Sequence, residues 1–336
     1  MAYTTIDDPT IYFNTVTYVA NQTDDRQITV GFQPDWTWLK DRNQAVNHDL
    51  YDSVRGATKY ISSNKTNAEG TQTDGLKSFN STGFTLGTGW GNQSTGDDYV
   101  SWNWKAGGSA SSNSNGSITS SVSASTDAGF SIVSFTSNGS TSTVGHGLGV
   151  KPDIYIIKNR STSGSWFTYF TILDGSLDMM TLNTNSAKGD HGLSLPTSTV
   201  FSTDNGSNGN NMIAYCFAEK KGYSKFGSYT GNGNADGTFI YTGFKVGWLM
   251  VKKTSATEEW YMYDNKRTPF NEIAKGLAAN LSGAEFDTGA TIDFLSNGFK
   301  NTGTNTGTNA SGETYIYMAF AESPFVTSTG IPTTAK

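Results

Sequence analysis

The chain has 336 residues, 15% of them charged, and a formal net charge of −6. It therefore lacks the clustered Lys/Arg field that draws in nucleic acid. An aromatic share of 13%, with 8 Trp, 16 Tyr and 19 Phe, excludes a disordered chain in spite of the Gly, Ser, Thr and Asn between its apolar runs. The start, MAYTTIDDPT, has neither the basic end nor the apolar segment of a secretory signal. No apolar run approaches the ~20 residues of a membrane helix, so no membrane insertion is expected.

The elements come in three rounds. A leader with an aromatic start and a short alternating strand (12–32) runs into QPDWTWLKDRN (33–43), and GDDYVSWNWKA (96–106) closes the first round. The second leader (130–149) runs into KPDIYIIKNRS (151–161) and ends on GNNMIAYCFA (209–218). The third (223–244) runs into KVGWLMVKKTS (245–255) and ends on GETYIYMAFA (312–321). Alternation places Val100, Trp102 and Trp104 on one face of their strand, with Ile213, Tyr215, Phe217 and Ile316, Met318, Phe320 as counterparts, and that face is expected to be core. WTWL, IYII and WLMV are apolar on both faces and suit a central strand covered on both sides. Tyr51-Asp52-x-x-Arg55 matches Tyr263-Asp264-x-x-Arg267, NKTNAE (64–69) matches NLSGAE (280–285) and NSTGF (80–84) matches LSNGF (295–299), whereas the middle copy has LNTNSAK (182–188) and STDNG (202–206) but lacks the Tyr-Asp-x-x-Arg element. The Asp and Arg are expected to pair across a turn.

Short strands, Gly/Asn turns and little helical periodicity predict an all-β chain of three tandem jelly-roll-like β-sandwich domains. The expected map is repeat 1 at 1–106, a Gly/Ser-rich flexible linker with one short strand at 107–129, repeat 2 at 130–221, repeat 3 at 222–325 and a tail at 326–336. TPFNEIAKGLAANL (268–281) is expected as a loop or a single helical turn.

Catalytic and metal signatures are weak. The three histidines, His48, His146 and His191, do not recur between copies, no paired carboxylates mark a cleft, and neither His nor Cys clusters. No enzyme activity, cofactor or metal is expected. The single cysteine, Cys216, lies in an apolar strand as an inert core thiol. The loop 87–98 supplies the candidate ligand-binding residues Trp90, Asn92, Asp97 and Asp98. An aromatic in a Gly-flanked loop can stack on a sugar ring, or fold back as a lid on the core.

QPDWTWLKDRN, LYDSVRGATKYISSN, STGFTLG and DAGFSIVSFTSNGSTSTVGHGLGVKPDIYIIKNR, with FAEKKGYSKFGSYTGNGNADGTFIYTGFK, resemble a family of marine bacteriophage structural proteins, common in cyanophages, built of tandem concanavalin-like lectin or fibre-like modules. The resemblance spans about residues 1–325. It implies a virion-surface protein made in the host cytoplasm, of tail-fibre or receptor-binding type, contacting host-envelope glycans and other virion proteins. The alternative is a structural accessory such as a capsid decoration, head fibre or tail component. A homo-oligomer, in particular a homotrimer, is expected from this resemblance and from aromatics in excess of what three small cores need.

Overall fold

The computed structural model describes residues 2–333, apart from the side chains of residues 288–291. The chain is all-β, with one α-helical turn, Thr306–Asn309, among the described residues. Each repeat contains the same four antiparallel strands in the order leader, closing, central, fourth. The leaders are Phe13–Val19, Phe130–Thr136 and Ser224–Thr230; the closing strands are Asp98–Trp104, Asn211–Phe217 and Thr314–Pro324. The central strands are Trp36–Asp41, Ile154–Asn159 and Phe244–Lys253; the fourth strands are Asp49–Asp52, Trp166–Phe170 and Tyr261–Asp264.

Register repeats with the topology. Trp36 faces Trp104 and Trp38 faces Trp102; Ile154 faces Phe217 and Ile156 faces Tyr215; Trp248 faces Phe320 and Met250 faces Met318. Because side chains alternate, these residues share one face of each sheet, and the three faces meet in a single core cluster contributed by all three repeats. Its centre is aromatic: the Trp36 and Tyr215 rings lie 4.4 Å apart, and Trp104 and Trp248 meet edge-on at 5.7 Å. The opposite faces carry Leu39, Tyr155 with Ile157, and Leu249 with Val251, each in its repeat's own smaller core. A second layer covers those cores: Arg26–Thr29 with Gly83–Leu86, Ser142–Gly145 with Val200–Thr203, and Phe239–Tyr241 with Gly298–Asn301.

The central strands are therefore covered on both sides, as their composition predicts. The aromatic surplus that suggests a subunit interface is taken up within one chain, at the junction of its own three repeats.

Two expectations change. Residues 107–129 are not a free linker: Ser111–Asn113 and Ser120–Ser125 extend the second repeat's sheet beyond its leader, with Val122 opposite Val133. Ser-rich composition suggests flexibility, but Val122 and Ala124 supply the apolar contacts that hold this edge to its core. The segment 268–281 forms a strand, Ile273–Ala278; a register shift between Ile273 and Lys275 breaks the period of two and mimics helical spacing. The phrase KVGWLMVKKTS (245–255) lacks the Pro-Asp of the other two, and its strand carries register shifts around Val246. Where Asp35 and Asp153 accept hydrogen bonds from the chain beyond the closing strand, at Ala106 N and Glu219 N, the third copy has Gly247.

The repeats are clasped in a cycle. Glu69 of repeat 1 binds Arg160 of repeat 2 through both carboxylate oxygens, at 2.8 and 3.1 Å, and Glu285 of repeat 3 binds Arg42 of repeat 1 at 2.9 and 3.0 Å. Beneath them the backbone N–H of Glu69, Lys188 and Glu285 donates to the carbonyl of Arg160, Thr254 and Arg42. A second ring repeats this sense. Trp166 Nε1 donates to Ser62 O, Trp260 Nε1 to Thr181 O, and His48 Nε2 bonds Ala278 O at 3.1 Å. His48 Nδ1 accepts from Trp38 Nε1, so the imidazole proton resides on Nε2, and burial keeps the ring neutral by holding its pKa well below the ordinary value. His48 thus recurs in function, aligned with two tryptophans that present the same N–H.

Candidate functional site

The lysine one residue before the end of each central strand defines three equivalent seats between repeats. Lys40, Lys158 and Lys252 are all buried, and burial pushes each ammonium down to about 8. Lys158 Nζ donates to its neighbour Asn159 O at 2.8 Å and to Thr66 O of repeat 1 at 3.1 Å. Lys252 Nζ does the same with Lys253 O at 2.7 Å and Asn185 O of repeat 2 at 3.3 Å. Both seats are closed by the preceding repeat.

The first seat is open. Lys40 Nζ donates to Asp41 O at 2.5 Å and Gln44 O at 3.0 Å, both from its own loop. Ser282, the counterpart of Thr66 and Asn185, instead lines a cavity of about 340 Å³ shared with Lys40, Asp41, Asp49 and Trp90. That is within the range of small-ligand pockets, about 300–1,000 Å³. Asp41 and Asp49 occur only here, since their counterparts are Asn159 and Lys253, and Phe167 and Tyr261.

Asp41 Oδ1 accepts from the backbone N–H of Asn43 and Gln44, while its buried Oδ2 has no partner; Asp49 Oδ1 is likewise buried and unpartnered. An unpaired buried acceptor is costly, so these oxygens are poised for a donor. Burial raises the Asp49 carboxyl to about 7, against the pull of Lys40 and of a hydrogen bond from Ser62. The Tyr99 phenol, on the same wall, is held protonated by burial, by the charge of Asp41 and by its hydrogen bond to that carboxylate.

Trp90 is half-buried, its ring edge-on to Tyr60 at 4.6 Å, and it forms part of the cavity wall. Gly91 lets the loop turn there, with φ +90 and only 3.2 Å from its would-be Cβ to the Leu39 side chain. The other loop candidates stand elsewhere. Asn92 is fully buried: its Oδ1 accepts from Asn21 N and Arg26 Nη1, and its Nδ2 donates to Thr23 O and Gly87 O, so its amide is spent holding the loop. Asp97 and Asp98 do not line the cavity; Asp98 N donates to the Asn43 side chain, and Asp97 O accepts from Ala20 N. Sequence reading missed Lys40, Asp41 and Asp49. The signal was present in the comparison of KDRN with KNRS and KKTS, where the aspartate is peculiar to the first copy.

The Tyr-Asp-x-x-Arg element is structural. Asp52 Oδ1 caps the N–H of Val54 and Arg55 while Oδ2 holds Arg55 Nε, and Asp264 repeats this with Arg267 Nε at 2.6 Å. Each aspartate also reaches across to another repeat: Tyr215 OH donates to Asp52 Oδ2 at 2.7 Å and Trp102 Nε1 to Asp264 Oδ2 at 3.0 Å. At the third junction the counterparts are apolar, Phe170 and Met318, both in the shared core.

The lowered lysines recur in the closed seats and so belong to the scaffold, with a consequence for stability. Each folded pKa, about 8, lies below the unfolded value near 10.4. Between the two the unfolded chain binds the additional protons, and stability rises with pH. The melting temperature is expected to increase from about pH 8 to about pH 10, and Lys158→Met with Lys252→Met to flatten that rise. A fall over the same interval would contradict the assignment.

Among the described residues no group of three or more His, Cys, Asp and Glu side chains is placed to hold a metal ion, and no helix is long and apolar enough to cross a membrane. Residues 8–324 match the family model described as "Domain of unknown function (DUF7483)", and the chain belongs to this family. No curated protein matches the sequence.

Proposed function

We propose that the chain is a non-enzymatic carbohydrate-binding protein of the virion surface, of tail-fibre or receptor-binding type, contacting glycans of a host envelope. The observation that carries the reading is the open seat, where an aromatic wall at Trp90 adjoins two unpartnered carboxylate oxygens. A pyranose offers an apolar C–H face to such a ring and hydroxyl donors to such acceptors. Rigid strands hold Lys40, Asp41 and Asp49, and a loop brings Trp90 to them, which is the usual division between scaffold and recognition. The resemblance to phage structural proteins supplies the virion context. We read the repeats as jelly-roll-like, concanavalin-like sandwiches, a reading supported by the second layer over each sheet.

A second reading, a structural accessory binding other virion proteins, rests on a different surface. Phe270 is 80% exposed, with Phe239 and Tyr241 also exposed on the third repeat. A homotrimer would have to draw on such surface, since the central aromatics are already covered.

A glycan array and a host-cell adsorption assay on purified protein separate these readings. Trp90→Ala is expected to lower binding about tenfold or more and stability by about 1–2 kcal/mol, less than the 3–5 kcal/mol of a fully buried Trp. A blank array together with unimpaired phage adsorption in the presence of excess protein would reject the carbohydrate reading.

A further inference from the structure

We propose that the open seat at Lys40 recognises an uncharged saccharide bearing an acetamido group, such as an N-acetylhexosamine unit; this rests on the carbohydrate reading above. The argument comes from the two closed seats, which show what the site accommodates. In each, a peptide carbonyl of the preceding repeat, Thr66 O or Asn185 O, sits on the lysine ammonium. In the first seat the corresponding segment at Ser282 does not reach Lys40 and leaves a cavity in between.

An ammonium carries three hydrogens, and Lys40 spends two on Asp41 O and Gln44 O. One N–H is left for an acceptor, while Asp41 Oδ2 and Asp49 Oδ1 are left as acceptors. An amide supplies both complements in one rigid group: its carbonyl accepts from Lys40 and its N–H donates to a carboxylate. Charge disfavours an acidic sugar, whose carboxylate would stand against Asp41 and Asp49. A free amino sugar can donate to those carboxylates, but its ammonium brings no acceptor for the remaining Lys40 N–H. An unsubstituted hexose can meet these groups with separate hydroxyls, but it lacks one rigid group that carries both complements. Trp90 then takes the apolar face of the ring, and the cavity of about 340 Å³ holds about one such unit.

The test is calorimetric titration of the full chain with three tetrasaccharides: N-acetylglucosamine, glucosamine and glucose. The acetylated tetramer is expected to bind about tenfold or more tightly than the other two, the scale of one hydrogen bond to a charged group. Asp49→Asn is expected to reduce that preference to about twofold or less without changing the fold, checked by an unaltered circular dichroism spectrum and cooperative melting. Lys40→Met serves as the second variant, because methionine keeps the stem and removes the donor. Equal binding of glucose and N-acetylglucosamine tetramers, both lost in Trp90→Ala, overturns the acetamido assignment and leaves the carbohydrate reading standing. Failure of the folded protein to bind the acetylated tetramer also overturns it, and a blank glycan array in the same preparation removes the carbohydrate reading with it.

Discussion

Replacing Asp264 by alanine is expected to destabilise the protein by about 3 kcal/mol or more, because it leaves a buried guanidinium with only the more distant Glu285 carboxylate as counter-charge. Arg267 and Asp264 side chains are both fully inaccessible, and the carboxylate also takes the Trp102 indole N–H and the turn's N–H groups. Asp52→Ala should behave alike, releasing Arg55 and the Tyr215 hydroxyl. The third junction shows how such a loss could be repaired. Phe170 and Met318 fill the corresponding places with no charge, so concerted replacement of Asp52, Arg55 and Tyr215 by apolar residues of similar volume should recover most of the stability lost by Asp52→Ala. Urea unfolding of the variants measures this directly, and an Asp264→Ala loss under 1 kcal/mol would show that the pair is not buried.

The second large effect concerns the repeats as units. A chain ending at residue 221 is expected to lose cooperative unfolding altogether. Deleting repeat 3 removes Trp248, Met250, Trp260, Met262 and Phe320 from the shared cluster and uncovers Trp102, Trp104 and Phe217, whose rings pack on Trp248 or Phe320. At about 1.5–3 kcal/mol for each large side chain returned to water, the three uncovered residues already cost about 5–9 kcal/mol, comparable with the whole net stability of an ordinary domain. A sharp melting transition in the truncated chain, without binding of a hydrophobic dye, would mean that repeats 1 and 2 are self-sufficient. Limited proteolysis of the full chain follows the same logic: residues 107–129 are expected to resist cleavage, since Ser120–Ser125 is paired along its length with the second leader.

What could be read in advance was what alternation determines. The face holding Trp102 and Trp104, Tyr215 and Phe217, Met318 and Phe320 is core, and the doubly apolar central strands are covered on both sides. The Asp–Arg pairing followed from spacing and charge. Periodicity reports which face is buried and is silent about what buries it, so three separate sandwiches and a shared centre predict the same pattern. The clasp was hidden for a related reason: NKTNAE, LNTNSAK and NLSGAE were recognisably one element, but nothing local says that Glu69 and Glu285 reach into another repeat. Residues 107–129 misled because flexibility was inferred from composition, whereas two apolar residues at alternate positions, Val122 and Ala124, suffice to dock an edge strand. At the candidate site, Trp90 was found by being out of pattern. Asn92 was misjudged because a buried amide and a surface one are indistinguishable until their partners are known.

The cyclic clasp has a consequence for valency. A ring assembled from three separate identical subunits must present every surface feature in triplicate, and a mutation that opens one seat opens all three. Here the three positions are encoded separately, so Lys158 and Lys252 keep their seats shut while the one at Lys40 stands open. One chain therefore offers one such cavity. A ligand held there gains no multiplicity from the threefold architecture, and any strengthening by simultaneous attachment has to come from several whole chains displayed together.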